Sequence, residues 1–135
     1  MALEIVQKDR EGVAVLEMKG RITVGKEATA LREKVAELNA ANQKNLVFDL
    51  AGVDYIDSTG LGALVMCAMT LRKAGGNVKL VHLNRRNIEL LVMTKLATSF
   101  EIFTDETDAV GSYYPDRKIK TFDILDFVNK MKNED

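Results

Sequence analysis

Asp57-Ser58-Thr59-Gly60-Leu61-Gly62 stands between two apolar runs, Leu46-Val47-Phe48-Asp49-Leu50 before it and Ala63-Leu64-Val65-Met66 after it. The first run is short and strand-like, and the turn formers Ala51-Gly52-Val53-Asp54 follow it. From Leu61 to Arg72 the apolar residues return at helical spacing, with Leu61, Leu64, Val65, Ala68 and Leu71 on one face. Ser58 falls where a helix N-cap belongs, its hydroxyl placed to accept from first-turn amides at the positive end of the helix dipole. A serine so placed serves as a cap, an anion-binding group or a phosphorylation site.

Working outward, the same alternation recurs. Leu3–Val6 and Val13–Met18 read as two strands joined by the turn Asp9-Arg10-Glu11-Gly12. Gly20-Arg21-Ile22-Thr23-Val24-Gly25 is a glycine-bracketed loop leading into a helix over Glu27–Ala41, whose inward stripe is Ala28, Leu31, Val35 and Leu38. The helix from Thr59 to Lys73 stops at Gly75-Gly76. Val78–Val81 is the next strand, Arg86–Leu96 the next helix, Phe100–Phe103 the last strand, and Glu106–Val110 a final helical turn. Strands alternating with helices predict crossover connections and a largely parallel sheet; the opening hairpin-like pair makes it mixed. Residues 1–110 therefore form one α/β unit. In residues 111–135 a linker with the only proline, Pro115, precedes an extra C-terminal helix marked by Phe122, Leu125, Val128 and Met131, with Thr121 as its candidate cap. That helix either packs on its own domain or is offered to a partner, a second copy of the chain included.

Composition removes several functions. The 135 residues carry 19 Lys and Arg against 20 Asp and Glu, a net charge of -1, so no field for a nucleic acid is present. The N-terminus has no basic-then-apolar leader, and no apolar run approaches the ~18–20 residues of a membrane span. The single cysteine, Cys67, forms no internal disulfide, in keeping with a reducing, cytoplasmic setting. One Cys, one His and scattered acids show no metal-ligand spacing. The glycines match neither a dinucleotide fingerprint nor a phosphate-binding loop. No cofactor is expected.

For catalysis, the glycine two before Ser58 that a nucleophile elbow requires is missing. His82, the only histidine, would be the sole base available to a Ser58 hydrolase, and no carboxylate is placed by sequence to orient it. Partner binding fits better. Opposite the buried face of the Thr59–Lys73 helix lie Gly62, Met66, Thr70 and Lys73, with Cys67 and Met69 flanking. A methionine where a surface helix ordinarily carries charge suggests an adaptable contact surface, or a patch that the C-terminal helix covers.

Gly20-Arg21-Ile22-Thr23, Leu46–Leu50 and Tyr55-Ile56-Asp57-Ser58-Thr59-Gly60-Leu61-Gly62 together resemble the bacterial anti-sigma factor antagonists, which share the STAS domain with sulfate transporters. The resemblance runs from about Leu3 to Val110. It implies a small, largely parallel sheet flanked by helices, and a switch rather than an enzyme. It further implies that Ser58 is phosphorylated by an anti-sigma factor that is itself a serine kinase, with ATP bound by that kinase, and that a phosphatase resets the system. The unmodified form would capture the anti-sigma factor and free a sigma factor. Arg21, Thr23, Asp57, Ser58, Thr59, Gly60, Gly62 and Met66 are the implied partner-binding residues. Thr23 stands where the family often has an acid, which alters the expected partner contact. The same fold could also serve as a scaffold in another assembly, stressosome-like or a two-component output.

Overall fold

The computed structural model describes residues 3–133, so the leader reading at Met1 and Ala2 and the last two residues of the tail fall outside it. Five strands form one sheet in chain order: β1 (Glu4–Arg10), β2 (Val13–Ile22), β3 (Asn45–Ile56), β4 (Asn77–Val81) and β5 (Glu101–Phe103). β1 and β2 pair antiparallel, and every later pair is parallel. The crossovers run through α1 (Lys26–Ala40), α2 (Ser58–Lys73) and α3 (Arg85–Met93). Crossovers of one hand, stepping one strand at a time in one direction, place all three helices on the same face of the sheet.

Period-two alternation divides the core between the faces. Ala14, Leu16 and Met18 of β2, Leu46, Phe48 and Leu50 of β3, and Leu80 of β4 meet the stripes of α1 and α2. The neighbouring residues Val13, Val15, Val47, Val81 and Phe103 point the other way, onto Ala109 and Val110 of α4 (Glu106–Gly111). The sheet is buried on both sides, which explains why β3 reads as a continuous apolar run.

Three sequence expectations change. Ala51–Asp54 is not a turn: β3 continues to Ile56, with a register irregularity between Glu17 and Lys19 of β2 opposite Gly52. A Cβ on Gly52 would lie 2.8 Å from the Met18 carbonyl oxygen, so only glycine lets the strands run on side by side. Likewise Gly20–Ile22 belongs to β2, leaving a short loop before α1. α3 ends at Met93 rather than Leu96, with Thr94 bonding back to the last carbonyls.

The 111–118 stretch, expected as a linker, is strapped to the second face. The Tyr113 hydroxyl stands between the carbonyl oxygens of Leu46 and Asn77, at 2.6 and 2.8 Å. Lys79, 5% exposed, lies 4.0 Å from the Tyr113 ring centre and donates to Ser112 Oγ at 2.7 Å. Burial pushes the Tyr113 hydroxyl well above the usual tyrosine range. The Arg117 guanidinium grips the Glu11 carboxylate with both nitrogens, at 2.6 and 3.0 Å, and Tyr114 bonds the Glu11 carbonyl. Beyond it, the Phe122 amide donates to the Ile102 carbonyl of β5.

α5 (Ile124–Asn133) follows, with Asp123 rather than Thr121 accepting from its first turn. α5 has no buried residue, and Leu125 is 71% exposed. Replacing Tyr113 by Phe should lower unfolding free energy by about 1 kcal/mol, because the one hydroxyl proton that the Leu46 and Asn77 carbonyls share is lost. Tyr113→Ala should cost about 3 kcal/mol. Urea denaturation followed by circular dichroism reads both.

Candidate functional site

The carboxyl ends of β2 and β3 come together with the head of α2. The Asp57 amide donates to the Ile22 carbonyl at 3.2 Å, tying the exit of β3 to the end of β2. Gly60 is buried against the same carbonyl: a Cβ there would lie 1.8 Å from the Ile22 oxygen. Any side chain at residue 60 would force α2 away from the sheet, which accounts for the Ser-Thr-Gly order.

The N-cap is Asp57, not Ser58. Asp57 Oδ1 accepts from the Gly60 amide at 2.7 Å, and Oδ2 accepts from the Val24 amide at 3.0 Å. The Gly60 amide above all, with those of Val24 and Thr59, holds this carboxyl below the usual carboxylate range, although partial desolvation pushes the other way. One side chain thus caps α2 and fastens the Thr23–Val24 loop beside it. A carboxylate out-competes a hydroxyl for first-turn amides because its hydrogen bonds are charge-assisted. Ser58, relieved of capping, is the exposed first residue of α2, and its hydroxyl has no protein partner among the described residues.

Around Ser58 the surface is mixed. Thr59, Gly62 and Met66 line a cleft of roughly 290 Å³ with Ala28 and Arg32 of α1. On the other side Ser58 and Asp57 share a cleft of roughly 330 Å³ with Tyr55, Arg86 and Met93. Met66 and Met69 are more than half exposed, Val24 is 65% exposed and Met93 78%. The C-terminal helix does not cover Met66. Cys67, expected to flank this face, is buried, and desolvation pushes its thiol up to about 12.

Of the residues singled out in the sequence, Asp57, Ser58, Thr59, Gly62 and Met66 lie at or beside the head of α2. Thr23 is half-buried in the adjoining loop, Arg21 is exposed opposite Tyr55, and Gly60 lies underneath. Tyr55, Arg86, Met93 and Arg32 were missed. The exposed methionine in α3 was the available signal.

Ser58 and His82 share neither a hydrogen bond nor a cleft among the described residues, so the relay a hydrolase needs is not assembled. His82 Nδ1 instead meets Asp49 Oδ1 at 2.9 Å, a carboxylate the sequence did not place. Carboxylate oxygens of Glu17, Asp49 and Glu106 lie within 4.8 Å of one another. Lys8 pairs with both glutamates, at 3.3 and 3.2 Å, and Arg10 with Glu106 at 2.6 Å, so the two glutamates already have counter-charges, while Asp49 meets His82 and the Ala51 amide.

A mixed, largely parallel sheet thus carries three helices on one face, and an exposed serine heads one of them amid apolar side chains. The STAS domain family model matches residues 4–109, and the chain belongs to that family. The anti-sigma-B factor antagonist of Bacillus subtilis is 35% identical over 76% of this chain and 92% of its own length. The anti-sigma-F factor antagonist RsfB of Mycobacterium tuberculosis is 34% identical over 81% of this chain and 88% of its own. A solved anti-sigma factor antagonist from Mycobacterium paratuberculosis shares the fold at a TM-score of 0.70, with 24% identity over 82% of this chain and 93% of that one. No helix among the described residues is long and apolar enough to cross a membrane.

Asp57→Ala should cost about 1–2 kcal/mol in unfolding free energy, the usual loss of an N-cap. Because the folded carboxyl titrates below its unfolded value, the ionised form contributes stability above the unfolded pKa, and that contribution is lost as pH falls through the folded pKa. Asp57→Asn should therefore differ from wild type at neutral pH and converge with it in acid, as read by urea midpoints over a pH series.

Proposed function

We propose that this protein is an anti-sigma factor antagonist: a cytoplasmic binding switch and not an enzyme. Its partner is an anti-sigma factor that is also a serine kinase, and capture of that partner frees a sigma factor. The observation that carries this reading is the exposed Ser58 hydroxyl, spared from capping by Asp57 and set among exposed methionines. The relatives named as antagonists support it.

In the forward step the partner moves the γ-phosphoryl group of ATP onto Ser58 Oγ, which gives up its proton, and ADP leaves. A phosphatase reverses this with water, releasing inorganic phosphate. ATP is held by the kinase, and the chain itself needs no cofactor. The helix N-terminus tolerates the new anion, so the fold survives while the surface changes. Roughly 1.5 to 2 negative charges appear beside Asp57, in the middle of the contact surface. A partner fitted to a neutral hydroxyl then loses a contact and meets repulsion. Phosphoserine at position 58 should weaken binding about a hundredfold, equivalent to about 2.7 kcal/mol. Ser58→Ala should still bind. Calorimetry with the purified kinase partner measures it, and equal affinity for phosphorylated and unmodified protein would refute the switch.

One feature favours an assembly role in addition. α5 exposes Leu125, carries Asp126 in its first turn and carries Lys130 and Lys132 in its last. Asp126 is already paired with Lys130 of the same helix at 3.1 Å, so the exposed apolar side of α5, with Leu125, is the proposed surface for pairing two copies. Sedimentation should show a concentration-dependent dimer that Leu125→Glu abolishes; a monomer at all concentrations removes the pairing.

A further inference from the structure

We propose that the cleft between the head of α2 and α3 receives the phosphoryl group of phosphorylated Ser58, with Arg86 as its counter-cation. This rests on the phosphorylation reading above and goes beyond it: the phosphate has a seat within the same molecule.

Five observations converge. Ser58 of α2 and Arg86 of α3 line the same cleft of roughly 330 Å³. Arg86 is the one basic residue of that lining. Its guanidinium carbon lies over the Tyr55 ring, 4.5 Å from the ring centre, so tyrosine holds the group from one side. The in-plane N–H donors of such a group stay available, in the fork that suits two phosphate oxygens.

The competing acids are also occupied. Arg85, not Arg86, bonds Glu89, at 2.9 Å, and both oxygens of Asp57 are held by amides. Arg86 has no carboxylate partner among the described residues. The walls are fixed with respect to each other by buried polar contacts. Asn87 Nδ2 donates to the Val53 carbonyl at 3.1 Å and Asn84 Nδ2 to the same oxygen at 3.2 Å. These bonds staple the first turn of α3 to β3, the strand whose exit launches α2.

The consequence concerns the partner. In the unmodified protein Arg86 is a cation on the rim of the contact surface, available to an acidic group of the docked molecule. Phosphorylation draws it onto the phosphate. A single modification thus withdraws two recognition elements, the Ser58 hydroxyl and the Arg86 charge.

The test uses the full chain with phosphoserine installed at position 58 during synthesis, and follows its ³¹P resonance through a pH titration. A cation beside the phosphate favours the dianion, so the second ionisation should lie below that of a free phosphoserine peptide. Arg86→Gln should raise it by about 0.3–0.7 pH units, the range of a partly solvated ion pair. Arg86→Lys should restore part of the shift, keeping the charge without the fork. Arg85→Gln, which removes a neighbouring charge engaged with Glu89, should move it less. Equal values for wild type and Arg86→Gln, or equal shifts from Arg85→Gln and Arg86→Gln, would overturn the proposal. Because the phosphoserine is supplied directly, this result does not depend on a cellular kinase. Native protein that carries no phosphate would defeat the switch while leaving the titration standing.

Discussion

The Ile22 carbonyl oxygen is the point on which the site depends. It accepts the Asp57 amide and lies where a side chain on residue 60 would have to go. Strand β2, the exit of β3 and the first turn of α2 are thereby pressed into one junction, with no room between the helix and the sheet. Asp57 completes it from outside, one oxygen on the helix and one on the loop before α1. A charged group held by amides from two segments makes the junction stiff as well as close. The exposed serine beside it is then presented in one position, as the proposed switch requires.

This arrangement separates two duties that a single serine could have combined. A hydroxyl that capped the helix would be lost as a cap when modified, and helix stability would change with each cycle of the switch. With a carboxylate as the cap, the proposed phosphorylation of Ser58 would alter charge and contact and leave the cap in place. The buried glycine and the exposed serine are therefore parts of one device, although only one of them reaches the surface. Thr23, with no charge of its own, sits in the loop that Asp57 anchors, so its position is set by the same carboxylate.

The architecture was largely legible in the sequence, because α1 and α2 have clean apolar stripes and the strands are bounded by turn formers. Most of the misreadings share a cause: local propensity was overruled by a tertiary contact. Ala51–Asp54 has the composition of a turn, yet pairing with β2 carries it on as strand, with Gly52 accommodating the irregularity. Ser58 is a good cap by type, but Asp57 stands one residue earlier with a stronger acceptor. Tyr113 and Tyr114 sit among Gly, Ser and Pro, and only the docking of that segment on distant carbonyls shows that it is not a linker. Ser58 stands out in the sequence because its motif is continuous. Arg86 and Met93 come from a helix about thirty residues further on, and no local pattern ties them to it.

The strap formed by Tyr113, Tyr114 and Arg117 has a consequence for synthesis. A ribosome makes strands and crossover helices by turns, so α1, α2 and α3 can cover one face of the sheet as it grows. The opposite face, with Val13, Val15, Val47 and Val81, stays bare until Ala109, Val110 and Tyr113 have been made. Arg117 then reaches back 106 residues to Glu11, closing nearly the whole domain into a loop. The nascent chain therefore carries an uncovered apolar sheet for most of its elongation, and that face is the one from which a stalled or truncated product would aggregate.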